Sequence, residues 1–206
     1  EFTSLKPAVE SFILPMHKPS GPTSRQIVDE IEARFDDAKI GHGGTLDPLA
    51  EGLLPLHFNE ATKVVDYLHD QPKTYRIRCR FDLASPSIDL GEPAEPVPTT
   101  EPPSHDRIIQ KLETFVGTQQ QVPPAYSAIK VEGKPLYERA REGNLDEDPD
   151  PRSVRCVSME LLSYDYPALT LRTTCGKGFY VRSLVRDLAG SLGQNGGIVT
   201  ALVRTA

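Results

Sequence analysis

The chain has 206 residues, of which 38% are hydrophobic and 25% charged, and its formal net charge is −6. Such a balance suits a globular protein with a sizeable core, and no run approaches the roughly 20 apolar residues of a bilayer span. Residues 1–15 lack the basic start, apolar middle and cleavage site of a secretory leader, so a cytoplasmic protein is expected.

Cys79, Cys156 and Cys175 form no Cys-x-x-Cys pair, which argues against a disulfide framework and a zinc site. An acidic protein is a poor partner for a polyanion, because nucleic-acid binding rests on Lys and Arg neutralising phosphates. The charge is uneven, however. Between Phe81 and Arg107 lie six acidic residues and no Lys or Arg, whereas from Arg152 onward seven basic residues face three acidic ones. A locally basic face is compatible with an acidic whole.

In chain order, residues 11–16 (Ser-Phe-Ile-Leu-Pro-Met) read as a short buried strand, followed by the turn His17–Pro22. Thr23 and Gln26 have capping-box spacing, and Ile27, Val28, Ile31 and Phe35 recur at helical spacing, predicting a helix over 24–35. Gly41, Gly43 and Gly44 are read as a glycine-rich loop, with Asp47 just past it. Residues 74–83 alternate apolar Tyr75, Ile77, Cys79 and Phe81 with charged Arg76, Arg78, Arg80 and Asp82, the pattern of a strand with one buried face. The proline-rich stretch 85–104 reads as an irregular loop. An amphipathic helix over 105–116 is stopped by Gly117, and a short helix is expected over 136–142. An acidic loop follows at 143–151, then paired strands at 154–165 and 168–175, then a helix over 180–192. Strands and helices are mixed without regular β-α-β alternation. The fold class expected is α+β, a mixed, largely antiparallel sheet flanked by helices in a single domain over 1–206.

The densest segment for chemistry is residues 41–55, GHGGTLDPLAEGLLP. Gly41, Gly43 and Gly44 permit close backbone approach, and Asp47 follows them, fixed by Pro48 between Leu46 and Leu49. Taken alone, an Asp-Pro pair is a turn with the aspartate as a cap. A carboxylate among leucines is nonetheless costly unless a cation meets it. The second glycine-rich segment, residues 175–182 (CGKGFYVR), offers one by delivering Tyr180 and Arg182 to the start of a helix. An arginine paired with Asp47 would keep it ionised and hold its rotamer. Alone, Arg182 would be a solvated helix residue, Tyr75 and Tyr180 core aromatics, His42 a turn cap and Lys130 a loop anchor.

Several segments in order, over nearly the whole chain, resemble the TruB-type tRNA uridine-55 pseudouridine synthases. They are residues 12–21, 41–63, 73–76, 121–130 with 133–141, and 176–182 with 187–188. The resemblance implies a pseudouridine-synthase-like sheet with a central catalytic cleft, acting on the T-arm loop of tRNA without a cofactor or metal. By the same resemblance Asp47 is the nucleophile, Arg182 its salt-bridge partner and Tyr75 the aromatic that stacks on the flipped base. Tyr180 hydrogen-bonds near the uracil, His42 wedges into the RNA loop, Leu202 walls the pocket and Lys130 belongs to the binding segment. A monomer is expected, with no membrane partner.

Three features depart from the family pattern. Gly43 stands where Thr is usual, and Ser85-Pro86-Ser87-Ile88-Asp89 replaces a Thr-Asp-Thr-x-Asp segment. The chain also stops where relatives continue into a small RNA-binding PUA-like domain, so none is expected here. Two rival readings stay open: a catalytically weak RNA-binding or tRNA-folding protein, and a hydrolase pairing Asp47 with Glu51 or Glu60.

Overall fold

The computed structural model describes residues 10–35, 37–127, 129–131, 134–142 and 149–206. By its internal contacts the chain divides into two compact units, residues 1–71 with 203–206, and residues 72–202.

In the first unit, β1 (Ile13–Lys18), α1 (Ser24–Glu32), β2 (Ile40–His42) and β3 (Ala50–Phe58) precede a 3-10 turn (Asn59–Val64) and α2 (Val65–His69). Strand β3 pairs antiparallel with both β1 and β2. Its buried residues Ala50, Leu54, Leu56 and Phe58 form the core together with Ile27, Val28 and Ile31 of α1. Burying each of these side chains other than that of Ala50 contributes roughly 1.5–3 kcal/mol. The capping box forms as the spacing predicts: Gln26 N donates to Thr23 Oγ1 (3.1 Å) and Thr23 N to Gln26 Oε1 (2.7 Å). The helix ends at Glu32, so Phe35 lies beyond it and meets the Phe58 ring edge-on at 5.5 Å.

Two expectations are corrected in this unit. Strand β1 is mostly exposed, because Ile13 and Leu14, like Phe12 just before them, face outward and only Lys18 at its end is buried. The segment around the glycine-rich loop, for which no strand is expected, instead begins in β2 and runs past Asp47 into the nine-residue β3. Gly52 hid that strand by interrupting its apolar alternation, and it does so for a reason. Its φ is +105°, and a side chain there would run into the backbone of Arg204.

The second unit contains β4 (Lys73–Arg80), β5 (Leu83–Ala84), β6 (Glu95–Pro96), α3 (His105–Thr114), β7 (Gly117–Gln121), β8 (Lys130–Val131), β9 (Lys134–Pro135) and α4 (Leu136–Arg141). After these come β10 (Arg152–Asp165), β11 (Ala168–Cys175), α5 (Val181–Ser191) and β12 (Ile198–Arg204), the last two residues of which belong to the first unit. The strand order is β12-β4-β11-β10-β7. The β4–β11, β11–β10 and β10–β7 pairs are all antiparallel, which bears out the expected sheet. Ile77, Cys79, Leu169, Leu171, Val154 and Cys156 are buried with Ile108 and Leu112 of α3 and Leu184 and Leu188 of α5. The three cysteines are free and buried, and burial raises each thiol pKa, that of Cys175 to about 12.

The 85–104 stretch is irregular apart from the β5–β6 pair, but it is pinned by side chains. Tyr164 Oη donates to Pro103 O (2.9 Å) and Asn195 Nδ2 to Pro98 O (2.9 Å). Strands β7 and β12 were not foreseen. Residues 143–148 of the expected acidic loop lie outside the described residues. Among the described residues, no helix is long and apolar enough to cross a membrane.

Candidate active site

In the first unit Asp47 is half-buried at the start of a tight turn, in which Ala50 N donates to Asp47 O (3.0 Å). The turn is laced to the segment after β1. Gly21 N donates to Pro48 O (2.8 Å) and Ser20 Oγ to Leu49 O (3.0 Å). Ser24, the first residue of α1, exchanges two hydrogen bonds with Leu46: its Oγ accepts from Leu46 N (2.8 Å) and donates to Leu46 O (3.1 Å). The backbone on both sides of Asp47 is therefore fixed by neighbours 20 or more residues away.

The strongest of these ties was missed in the sequence. Lys18 is fully buried, and its ammonium donates to Ala50 O (2.6 Å), Pro19 O (3.0 Å) and Pro48 O (3.2 Å). Burial lowers its pKa, while the negative charges of Asp47 and Glu51 oppose that shift. A lysine in a Lys-Pro turn gives no sign that it will be buried, so only the folded chain reveals this clamp.

His42 ends β2, five residues before Asp47. Burial lowers its pKa, with smaller contributions in the same direction from His69, Arg204 and Arg25, outweighing a backbone hydrogen bond that raises it. Its Nδ1 is buried, and among the described residues it meets no partner outside its own backbone within hydrogen-bond geometry. Beneath the bend lies His57, also buried and also lowered in pKa by burial, whose Nδ1 is 3.2 Å from Ala61 O. A side chain on Gly43 would bring its Cβ to 2.9 Å from His57 Nε2, so glycine suits the position where the family usually carries threonine. Arg204 completes the bend by donating to Leu53 O (2.5 Å) and Gly44 O (3.3 Å).

In the second unit Tyr180 caps α5, and the buried Gln121 grips its backbone from both sides. Tyr180 N donates to Gln121 Oε1 (2.7 Å), and Gln121 Nε2 donates to Tyr180 O (3.1 Å). Arg182 follows, only 6% exposed rather than solvated. It donates through Nη1 to Ser87 O (3.1 Å) and through Nη2 to Tyr126 O (2.9 Å), and its Nε lies 3.7 Å from Asp89 Oδ2.

Asp89 is the second residue that sequence reading did not single out. It is buried and accepts from Gly91 N (2.8 Å). The hydroxyls of Ser85 and Ser87 both donate to Asp89 O (2.6 and 3.3 Å), and Ile88 adopts a positive φ of 62°. The altered Ser85–Asp89 segment thus closes on itself despite Pro86, and delivers a carboxylate to Arg182.

Tyr75 is half-buried on the Ile77–Cys79 side of β4, opposite Thr173. Leu202 is buried on β12, two residues after Thr200, whose hydroxyl donates to Arg78 O (3.2 Å). Lys130 opens β8, and its side chain lies outside the described residues. Of the acids considered for a hydrolase, Glu60 is exposed and bridged by Lys63, and Glu51 is half-buried. Among the described residues no group of three or more His, Cys, Asp or Glu could hold a metal.

The family model described as "TruB family pseudouridylate synthase (N terminal domain)" matches residues 32–181, which include Asp47, Tyr75, Asp89 and Tyr180. The chain belongs to the TruB family. It is similar to the tRNA pseudouridine synthase B of Pseudomonas paraeruginosa (strain DSM 24068 / PA7), 43% identical over 196 residues, covering 95% of this chain and 63% of that protein. It is also similar to the synthase of the same name from Caldanaerobacter subterraneus subsp. tengcongensis, 42% identical over 197 residues, covering 94% of this chain and 67% of the other. The chain therefore spans about two thirds or less of these TruB relatives. Among solved structures it resembles a chain of a Cbf5-Nop10-Gar1 complex, with a TM-score of 0.68 and 28% identity over 94% of this chain and 48% of that one. A second is from an H/ACA RNP bound to a substrate RNA containing 2'-deoxyuridine, with a TM-score of 0.65, 26% identity, and coverage of 94% and 46%.

Proposed function

We propose that this chain isomerises uridine to pseudouridine in the T-arm loop of tRNA, at position 55, with Asp47 as the essential carboxylate. The observation that carries the reading is the fixed bend around Asp47 in a chain of the TruB family, supported by relatives named tRNA pseudouridine synthase B.

In the proposed reaction the N1–C1′ bond of the uridine breaks, the uracil turns, and a C5–C1′ bond forms. The C5 proton is lost and N1 gains one, so the base keeps its formula. No electron acceptor or group donor enters, and the residues named here suffice for the proposed roles. Breaking the glycosidic bond builds positive charge on C1′, which a carboxylate held in place is suited to meet. Asp47 serves this role only while ionised, and Arg182, oriented in its own unit by Asp89, is the cation we assign to it.

The target base must first leave its stack, at a cost of a few kcal/mol. His42, kept neutral by burial, is the flat ring we assign to the space left behind, and Tyr75 the ring that stacks on the extruded base. Tyr180 supplies a hydroxyl near the uracil, Leu202 an apolar wall and Lys130 a contact from the binding segment.

The test is Asp47→Asn, which preserves shape and removes the charge. Tritium release from 5-tritiated uridine in tRNA is expected to fall by more than about 10³-fold, while binding of the tRNA persists. Release at the unsubstituted rate would remove Asp47 from the mechanism.

A further inference from the structure

Strand β4 has two faces. Tyr75, Ile77 and Cys79 point to the side that carries the buried residues, and Arg76 and Arg78 point to the other, where both are exposed. Neither arginine has an acidic partner among the described residues. Arg80, next on the same face, is bridged to Asp82 at 2.6 Å.

Across the sheet, Arg76 stands directly opposite Arg172 of β11, which in turn stands opposite Glu160 of β10 and is bridged to it. Like charges directly opposed on neighbouring strands are destabilising, and Glu160 neutralises only one of the two. Arg155 of β10, exposed beside Gly176, adds a further cation, and the rows between are uncharged, with Thr74 and Thr174 sharing a hydrogen bond of 3.0 Å. In a chain of net charge −6, these unneutralised guanidinium groups are gathered on one flat face. Alternate residues of a strand lie about 6.6 Å apart, so Arg76 and Arg78 can each engage a separate phosphate.

We propose that this face, centred on Arg76 and Arg78, is a second RNA-backbone contact surface, on the side of β4 away from Tyr75. It holds a part of the tRNA distant from the target uridine. The inference rests on RNA being the substrate, and it assigns these arginines to affinity and none of them to the chemistry.

The experiment measures binding of whole, unmodified tRNA transcript across a salt series. Each phosphate-contacting cation removed lowers the slope of log affinity against log salt by about 1, so Arg76→Gln/Arg78→Gln is expected to lower it by about 2. The single-turnover rate at saturating tRNA stays at the unsubstituted value. Arg80→Gln, whose charge Asp82 already meets, leaves the slope in place, and so does the double variant with an isolated T-arm stem-loop. A slope unchanged with whole tRNA overturns the proposal, as does an equal change from Arg80→Gln or an equal change with the stem-loop. Failure of the functional reading looks different: the unsubstituted protein would make no pseudouridine in any tRNA.

Discussion

The two units hold their charged residues by opposite means. Around Asp47 the first unit fixes a bend through backbone carbonyls, with one buried ammonium gathering three of them and two serines tying the rest. At Arg182 the second unit fixes a side chain, by spreading a buried guanidinium over two carbonyls and a carboxylate. The lesson is that a short acidic side chain can be placed by fixing the backbone of its turn, whereas a long flexible cation must itself be gripped.

That contrast can be broken most severely at Arg182. Substitution by Leu leaves Asp89 buried without its guanidinium, and removing one member of a buried pair costs about 3–5 kcal/mol. Chemical denaturation should show the unfolding free energy falling by that amount. Arg182→Lys should recover part of the stability and little of the activity, because one ammonium cannot reach three acceptors in the guanidinium's plane. Full activity in the lysine variant would refute the idea that its geometry matters.

Lys18→Met is the next largest. It keeps the volume of the side chain and orphans buried carbonyls of the Asp47 turn, at a cost of about 1–3 kcal/mol. The expected signature is kcat falling more than KM rises, since the turn loses its hold on Asp47 rather than its affinity for RNA. A purely structural lysine would lower the melting temperature and leave the kcat of the folded fraction intact.

The smallest effect is acid sensitivity in the first unit. His42 and His57 both have folded-state pKa values below the ordinary 6.5, for burial disfavours their charged forms. As pH falls below 6.5 the unfolded chain binds protons that the folded one refuses, so stability declines from there down to the folded values, and is unaffected above that window. Replacing His57 with Gln should flatten part of this decline in a pH series of denaturation midpoints. An unaltered slope would show that His57 does not contribute.

Much of the second unit was legible because its signals are local. The amphipathic pattern does mark α3, although the helix ends at Thr114 and Gly117, with a φ of +110°, opens β7 instead of stopping it, and the alternation of Tyr75, Ile77 and Cys79 does mark a half-buried strand. The β10–β11 hairpin followed from two β-rich runs a short distance apart. In the first unit only the Thr23 capping box was equally plain. Strand β3 was hidden by Gly52, and β1 was misjudged as buried because apolar residues there line an exposed strand. At the candidate site, the residues carried by glycine-rich motifs were found and their supports were not. Lys18 meets Pro48 and Ala50 from 30 and 32 residues away, and Asp89 meets Arg182 across nearly half the chain. Such partnerships are properties of topology, and no local pattern announces them.

The contact of Gly52 with the backbone of Arg204 has a consequence for synthesis. The first unit is made of residues 1–71 and the last few of the chain, so its final pieces leave the ribosome after the whole of the second unit. At 5–20 residues per second that delay is on the order of ten seconds. Until then Gly44 and Leu53 lack the guanidinium that joins them, and the nascent loop bearing Asp47 waits unfinished. Of the two units, the one whose translation begins earlier is thus the later to mature.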